Sequence, residues 1–330
     1  MMNIAFFSSR PYDEEYFLKA NKNFSYNLKF FEVKLNEESA SLAKRCQAVC
    51  LFVNDHADEK TLTILAELGI KLIVLRCAGY NNINLDAAKK LNIKIFRVSS
   101  YSPHAVAEHA VALMLTLNRK THRAHMRVRE GNFSLHGLIG FDFFEKTVGV
   151  VGTGKIGIVF AKIMLGFGCK VIASDPFPSK DLISLGVTYV SKEELFSKSD
   201  IISLHLPLTK DSTHFINEDS IKLLKPTVML VNTGRGALMD TKAVVSALKN
   251  KKIGSLALDV YEEEENFFFY DHSDEMINDD VLARLMTFPN VIITSHQAFL
   301  TTEALNNIAL TTLNNLSDFE NGKSNNNEVN

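Results

Sequence analysis

Three kinds of side chain suited to chemistry at a carbonyl stand just past short apolar runs in the second half of the chain. Arg235 follows the run 228–231 through Asn-Thr-Gly. Asp259 and four consecutive glutamates at 262–265 follow the run 255–258. His296 follows 291–294 with only Ser295 between. A guanidinium grips a carboxylate through two parallel hydrogen bonds and polarises a neighbouring carbonyl. An imidazole titrates near neutral pH and can hand a proton to the carbonyl oxygen. A carboxylate beside it orients the ring and favours its protonated form. Together these groups suit reduction of a 2-oxo acid to a 2-hydroxy acid. The residues alone leave open which of Glu262, Glu263, Glu264 and Glu265 faces the imidazole.

Such a reduction needs a hydride donor. Gly152-Thr-Gly154-Lys-Ile-Gly157 comes directly after the apolar run TVGVV and opens a helical pattern. In a strand–turn–helix of this kind the first glycine permits the tight turn and the second lets backbone approach a pyrophosphate. The third lets helix and strand pack closely. The helix N-terminus adds unpaired N–H groups and the positive end of its dipole. Eighteen residues past Gly157 the next apolar run ends in Asp175. A carboxylate there accepts hydrogen bonds from an adenosine ribose and repels a 2′-phosphate, so the expected cofactor is NAD rather than NADP.

Parallel sheets are what would position these groups. Short β-branched runs at 3–7, 28–33, 48–53, 71–75 and 93–98 precede a long helical interval. Further runs at 147–151, 170–174, 187–190, 201–204, 228–231, 255–258 and 291–294 follow it. Apolar runs alternating with amphipathic helices predict an α/β protein whose parallel sheets are covered on both faces. The carboxyl ends of such strands share one edge, so Arg235, the acidic run and His296 are expected where Gly152 holds the dinucleotide. So many strands predict two doubly wound sheets, divided by one long helix over 103–129. That helix opens at Ser-Pro and carries Val106, Ala110, Leu113 and Leu117 on one face. Arg119, Arg123, Arg127 and Arg129 read as a solvated or subunit-facing end. His104, His109, His122 and His125 lack a metal-binding motif, so they read as surface or interface residues and no metal is expected. The polar segment GKSNNNEVN reads as a frayed end.

A length of 330 residues fits about two domains. With 46% hydrophobic and 22% charged residues, the composition excludes a disordered or fibrous chain. Thirty-six basic and 38 acidic residues leave a net charge of −2, too little to draw the chain onto nucleic acid or an anionic membrane. Neither partner is expected. The most apolar segment, 105–117, is broken by Glu108 and His109 and is too short to span a bilayer. Four cysteines without a CxxC pair, and an N-terminus without a secretion signal pattern, point to buried thiols in the cytoplasm.

In chain order, LRCAGYNNINLDAA, YSPHAVAEHAVALML, VGTGKIG, SLHLPLT, VNTGRGALMD, LALDVYEEE and SHQAFLT resemble motifs of the D-isomer-specific 2-hydroxyacid dehydrogenases. The resemblance runs over about 3–321, and LDVYEEEENFFFYDHS with SHQAFLTTEAL is similar to the lactate branch. It implies a Rossmann-type NAD-binding domain, 101–298, inserted into a flavodoxin-like substrate domain. The latter would comprise 1–100 and a return at 299–330 that ends in a flexible tail. It further implies that Arg235 binds substrate, that His296 donates the proton, and that Glu264, five residues past Asp259, is its partner. The implied NAD contacts are Gly152, Gly154, Lys155, Ile156, Gly157, Asp175, Leu206, Pro207, Ser212, Thr233, Gly234 and Asp259.

For the substrate, Arg76, Cys77, Ala78 and Gly79 resemble the family's carboxylate-binding turn, and Phe52, Tyr101 and Phe299 match pocket-wall positions. Three aromatic walls would leave room for little beyond a methyl group. The expectation is therefore pyruvate, reduced to D-lactate with NADH. A bulkier 2-oxo acid such as phenylpyruvate or 2-oxoisocaproate is the alternative within the class. An NAD-sensing binding protein on the same fold would need the glycine loop but not the catalytic trio. The family also implies a homodimer or homotetramer, with the helix over 103–118 near the interface. Gly234, where serine is frequent, and Ser295, where proline or glycine is frequent, depart from the family pattern without removing a catalytic group.

Overall fold

The alternating apolar runs form two parallel sheets in a computed structural model that describes residues 2–329. The chain divides into two units, Met1–Ser102 with Leu300–Asn330, and Pro103–Phe299. The first unit starts with β1 (Asn3–Phe6), α1 (Pro11–Asn21), β2 (Asn27–Phe30), β3 (Ala48–Leu51) and α2 (Glu59–Glu67). It continues with β4 (Leu72–Leu75), α3 (Leu85–Lys90) and β5 (Lys94–Phe96). These strands are mutually parallel in the order β2-β1-β3-β4-β5. Every residue of β3 and β4 is buried, as strands covered on both faces require.

The strand order reverses between β1 and β3, and the carboxyl ends of β1, β3 and β4 meet there. The resemblance gives Arg76 to the substrate, but the structure turns its guanidinium into the core. The residue is 1% exposed, Nε lies 3.1 Å from Asp13 Oδ1, and Nη2 donates to Ser8 O at 2.8 Å. Its guanidinium also covers the Phe52 ring at 4.8 Å. A buried cation needs a matched anion at close range, and Asp13 on α1 supplies it. Arg76 is therefore a structural residue at the head of the turn, and only the backbone beyond it is open to a ligand.

The second unit contains α4 (Pro103–Arg119), α5 (Thr121–Arg129), β6 (Thr147–Val151), α6 (Lys155–Gly166), β7 (Lys170–Ser174), α7 (Lys180–Ser184) and β8 (Thr188–Tyr189). Next come α8 (Lys192–Lys198), β9 (Ile201–Leu204), α9 (Glu218–Lys222), β10 (Met229–Asn232), α10 (Thr241–Lys249), β11 (Ser255–Leu258), α11 (Asp280–Thr287) and β12 (Val291–Ile293). Its seven strands run parallel in the order β12-β11-β10-β9-β6-β7-β8. The reversal falls between β6 and β9, where a doubly wound sheet binds its ligand. The helix predicted over 103–129 is two helices, because Lys120 adopts a left-handed φ of 52°. Ala107, Ala110, Leu113, Met114 and Leu117 of α4 join Val148, Val150 and Phe160 in one core layer.

The chain then returns to the first unit through α12 (Thr302–Glu320), which packs on α1, and ends in β13 (Glu328–Val329). The expected frayed tail is instead an antiparallel edge strand on β5. Asparagine amides hold it: Asn325 donates to Asp318 at 2.6 Å and Asn327 to Asn315 at 3.1 Å. The polar composition that read as disorder is a set of side-chain hydrogen bonds. Among the described residues, no helix is long and apolar enough to cross a membrane. Removing one partner of the Asp13–Arg76 pair strands a buried charge. Asp13→Ala should therefore cost about 3–5 kcal/mol in urea unfolding, and Asp13→Asn clearly less.

Candidate active site

The glycine loop is built first by sterics. Gly152, at φ 89°, turns the chain out of β6. At Gly157 an added Cβ would lie 2.0 Å from Gly152 O, so helix α6 can approach the turn only with glycine there. At Gly154, by contrast, an added Cβ meets nothing within 4 Å. Protein packing does not demand that glycine; a ligand lying against the backbone does. Asp175, just past β7, accepts from Thr153 N at 2.6 Å and Phe177 N at 2.7 Å, which fixes it beside the loop. Thr233, past β10, has a buried hydroxyl with no hydrogen-bond partner among the described residues. Open space over Gly154, an orphaned hydroxyl and a carboxylate beside the second strand together fit a dinucleotide.

Past β10 the chain enters the arginine loop. Asn232 Nδ2 donates to Arg235 O at 2.8 Å and Asn232 Oδ1 accepts from Gly234 N at 3.0 Å. Arg235 Nη1 donates within its own loop, to Gly234 O at 2.8 Å. Gly236 then lies so close to the Tyr261–Glu262 backbone that a Cβ would come within 2.1 Å of it. That contact brings the loop after β10 against the loop after β11.

The acidic run divides its labour. Glu264 Oε1 lies 2.6 Å from His296 Nδ1, and its other oxygen accepts from Tyr261 N at 2.9 Å. Glu262 faces elsewhere, 2.5 Å from His214 Nε2 and 3.0 Å from the Thr241 hydroxyl. Glu263 and Glu265 are exposed. With Nδ1 committed to Glu264, the tautomer is set and Nε2 is the nitrogen left for proton transfer.

His296 itself has a left-handed φ of 52°. A non-glycine residue there costs about 1–3 kcal/mol and must be held by its surroundings. Asp259 holds it. This residue was expected to touch NAD, but it is 0% exposed and faces inward. Its carboxylate accepts from Thr294 Oγ1 at 2.6 Å, Gln297 N at 2.9 Å and Ala298 N at 2.8 Å. Its carbonyl accepts from His296 N at 2.7 Å. Burial alone would raise the carboxyl's pKa, but hydrogen bonds from His109 and Thr294 and the nearby His296 charge hold it below the ordinary range.

His109 is the residue that sequence reasoning missed. It was read as a surface or interface histidine, yet Nε2 lies 3.2 Å from Asp259 Oδ1 and 3.0 Å from the Thr294 hydroxyl. The signal was its spacing, three past Val106 and four before Leu113, on the apolar face of α4. His205, past β9, was likewise given no role; desolvation pushes its imidazole down to about 3. It packs on Phe160 at 4.9 Å and stays neutral in the wall behind the glycine loop.

Other expected contacts vary in what they offer. Lys155 and Ile156 open α6, and Leu206 flanks Gly152. Ser212 is buried and spends its hydroxyl on Pro207 O at 2.7 Å, so it shapes the loop rather than facing a ligand. In the first unit Phe52 is buried, Tyr101 is half-buried, and the turn Cys77–Gly79 follows Arg76; Phe299, in the second, is also buried. No described residue accepts a hydrogen bond from the N–H of Ala78 or Gly79.

A dinucleotide loop at the switch point, with an arginine and a carboxylate-backed histidine on the same strand edge, defines a nucleotide-dependent hydroxyacid oxidoreductase. Residues 111–298 match the family model described as D-isomer specific 2-hydroxyacid dehydrogenase, NAD binding domain, and the chain belongs to that family. Its cofactor is NAD. The chain is 51% identical over 328 residues to the D-lactate dehydrogenase of Escherichia coli strain K12, covering 99% of this chain and 100% of that one. It is 54% identical to a 2-hydroxyacid dehydrogenase homolog of Zymomonas mobilis, covering 98% of each. The apo-structure of D-lactate dehydrogenase from Escherichia coli superposes with a TM-score of 0.91 at 50% identity, covering 100% of both chains.

Asp259→Ala should release the histidine loop, lowering turnover on the order of 10²-fold while NADH binding, read by fluorescence, stays near wild type. Because the folded carboxyl's pKa is depressed, its stabilisation is present at neutral pH and is lost as pH falls through that lowered value. The stability gap between wild type and Asp259→Asn should hold from pH 8 to 5 and narrow only below about pH 4.

Proposed function

We propose that this chain is an NAD-dependent D-lactate dehydrogenase, reducing pyruvate with NADH. The observation that carries the proposal is the His296–Glu264 pair, 2.6 Å apart, on the strand edge that also bears Arg235 and the glycine loop. NADH, when bound, is the hydride donor to the carbonyl carbon. In the direction of reduction, protonated His296 gives the Nε2 proton to the carbonyl oxygen while Glu264 stabilises and orients the ring. In the direction of oxidation, neutral His296 takes the hydroxyl proton at that same nitrogen. Arg235 binds the substrate carboxylate and polarises its carbonyl. The Pro103–Phe299 unit holds the nucleotide, and the N–H groups of Ala78 and Gly79 receive the substrate carboxylate. In the first unit Phe52 and Tyr101 limit substrate size, which favours pyruvate over phenylpyruvate or 2-oxoisocaproate. A cytoplasmic location fits four buried thiols.

We further propose self-association through the segment after α5. Phe133, Leu135, Ile139 and Phe144 are 74%, 80%, 86% and 66% exposed, an apolar density that a second copy would cover. Light scattering should report a dimer or tetramer, and charged replacements at Leu135 and Ile139 should shift it toward monomer.

Loss of NADH absorbance with pyruvate, followed by chiral analysis, should give D-lactate; L-lactate or no turnover would overturn the assignment. Reduction should fade at alkaline pH and oxidation at acid pH, and matching profiles would remove His296 from its role. His296→Asn should cost on the order of 10²–10⁴ in kcat. Arg235→Lys keeps the charge but loses the fork, so pyruvate KM should rise sharply.

A further inference from the structure

Arg97 and the C-terminal segment have no part in the chemistry proposed so far, yet they converge on the turn given to the substrate carboxylate. A peptide unit is planar and trans, so fixing its carbonyl oxygen fixes the direction of the N–H on the next residue, which points the opposite way. Val98 N donates to Cys77 O at 3.1 Å, which sets the Ala78 N–H. Arg97 Nη1 donates to Ala78 O at 2.9 Å, which sets the Gly79 N–H. Both N–H groups lack an acceptor among the described residues. Two successive amides with fixed planes and free hydrogens form an anion-binding concavity.

Arg97 is itself held at several points. Its guanidinium lies over the Tyr80 ring at 5.0 Å. Its N donates to Asn327 O at 2.9 Å, and its O accepts from Asn315 Nδ2 at 3.0 Å. Asn327 in turn accepts from Ser99 Oγ at 2.7 Å and donates to Asn315 Oδ1 at 3.1 Å. Asn327 N donates to Asn325 Oδ1 at 2.8 Å, a turn within the strap itself, so the arginine's backbone is held by the strap at its N–H and by α12 at its carbonyl.

We propose that Arg97, clamped by the C-terminal strap 325–329, is a positioning residue for the substrate carboxylate, acting through the Ala78–Gly79 peptide. The proposal rests on the reading of this chain as a pyruvate reductase. It differs from a role in folding because it touches recognition of the carboxylate and not of NADH.

The test uses the full chain carrying Arg97→Met, Arg97→Lys or Asn327→Ala. Steady-state kinetics are measured with pyruvate and with methyl pyruvate, a neutral ester, and NADH affinity by fluorescence. Loss of one charge-assisted hydrogen bond should raise the pyruvate KM about tenfold in Arg97→Met. In that variant kcat and NADH affinity should stay within about threefold of wild type, and the methyl pyruvate KM should not move. Arg97→Lys, which keeps a donor, should recover most of the loss, and Asn327→Ala should show a smaller rise in the same sense. An unchanged pyruvate KM in Arg97→Met, or equal rises for acid and ester, would overturn the inference. If Arg97→Met does not fold, Asn327→Ala decides it by the same acid-to-ester comparison. Wild-type protein that does not turn over pyruvate would instead overturn the functional reading itself.

Discussion

The second unit depends on one buried carboxylate. Asp259 follows β11, takes a backbone hydrogen bond from the loop after β12 and gives one to the end of β10. Its side chain collects His109 from α4 and the amides of Gln297 and Ala298. A fully buried anion is costly unless each lone pair is satisfied, and here four donors do so. Those same bonds over-determine the backbone around His296, allowing a histidine to occupy a conformation it would leave if they were lost. Strain at the proton-transfer residue and the burial of an acid are thus two sides of one arrangement.

Around that carboxylate, adjacent acidic residues carry different duties through position alone. Glu264 looks toward the imidazole, whereas Glu262 ties the post-β11 loop to His214 and Thr241. Gly236 packs its bare backbone on this same loop, so Arg235 and Glu264 are placed by a shared contact. The site's geometry therefore comes from three strand ends braced against one another, with little left to flexible side-chain choice.

Much of this was legible in the residues. Strand runs flanked by helical patterns imply both sheets, and the carboxyl-edge rule alone puts Arg235, the acidic run and His296 together. What was misread shares a physical cause: polar groups were taken to face water or ligand. Asp259, Arg76 and Ser212 face inward because each has a local partner that pattern reading does not show. His109 was taken for a surface residue although its spacing put it on a buried face. The asparagine-rich end looked disordered because amide networks leave no hydrophobic period. Among the four glutamates, only contacts could separate Glu262 from Glu264, since both lie on one irregular loop where no period applies.

The antiparallel pairing of β13 with β5 also bears on how the protein is made. Pairing residues 94–96 with 328–329 joins points more than two hundred residues apart, across the whole Pro103–Phe299 unit. During synthesis that inserted unit leaves the ribosome complete and can close its own sheet, while the first unit must wait for α12 and β13. Until they arrive, the outer edge of β5 is bare and able to pair with another chain. Residues 328–329 are thus the ones that retire this edge, and chains lacking them would be the aggregation-prone species.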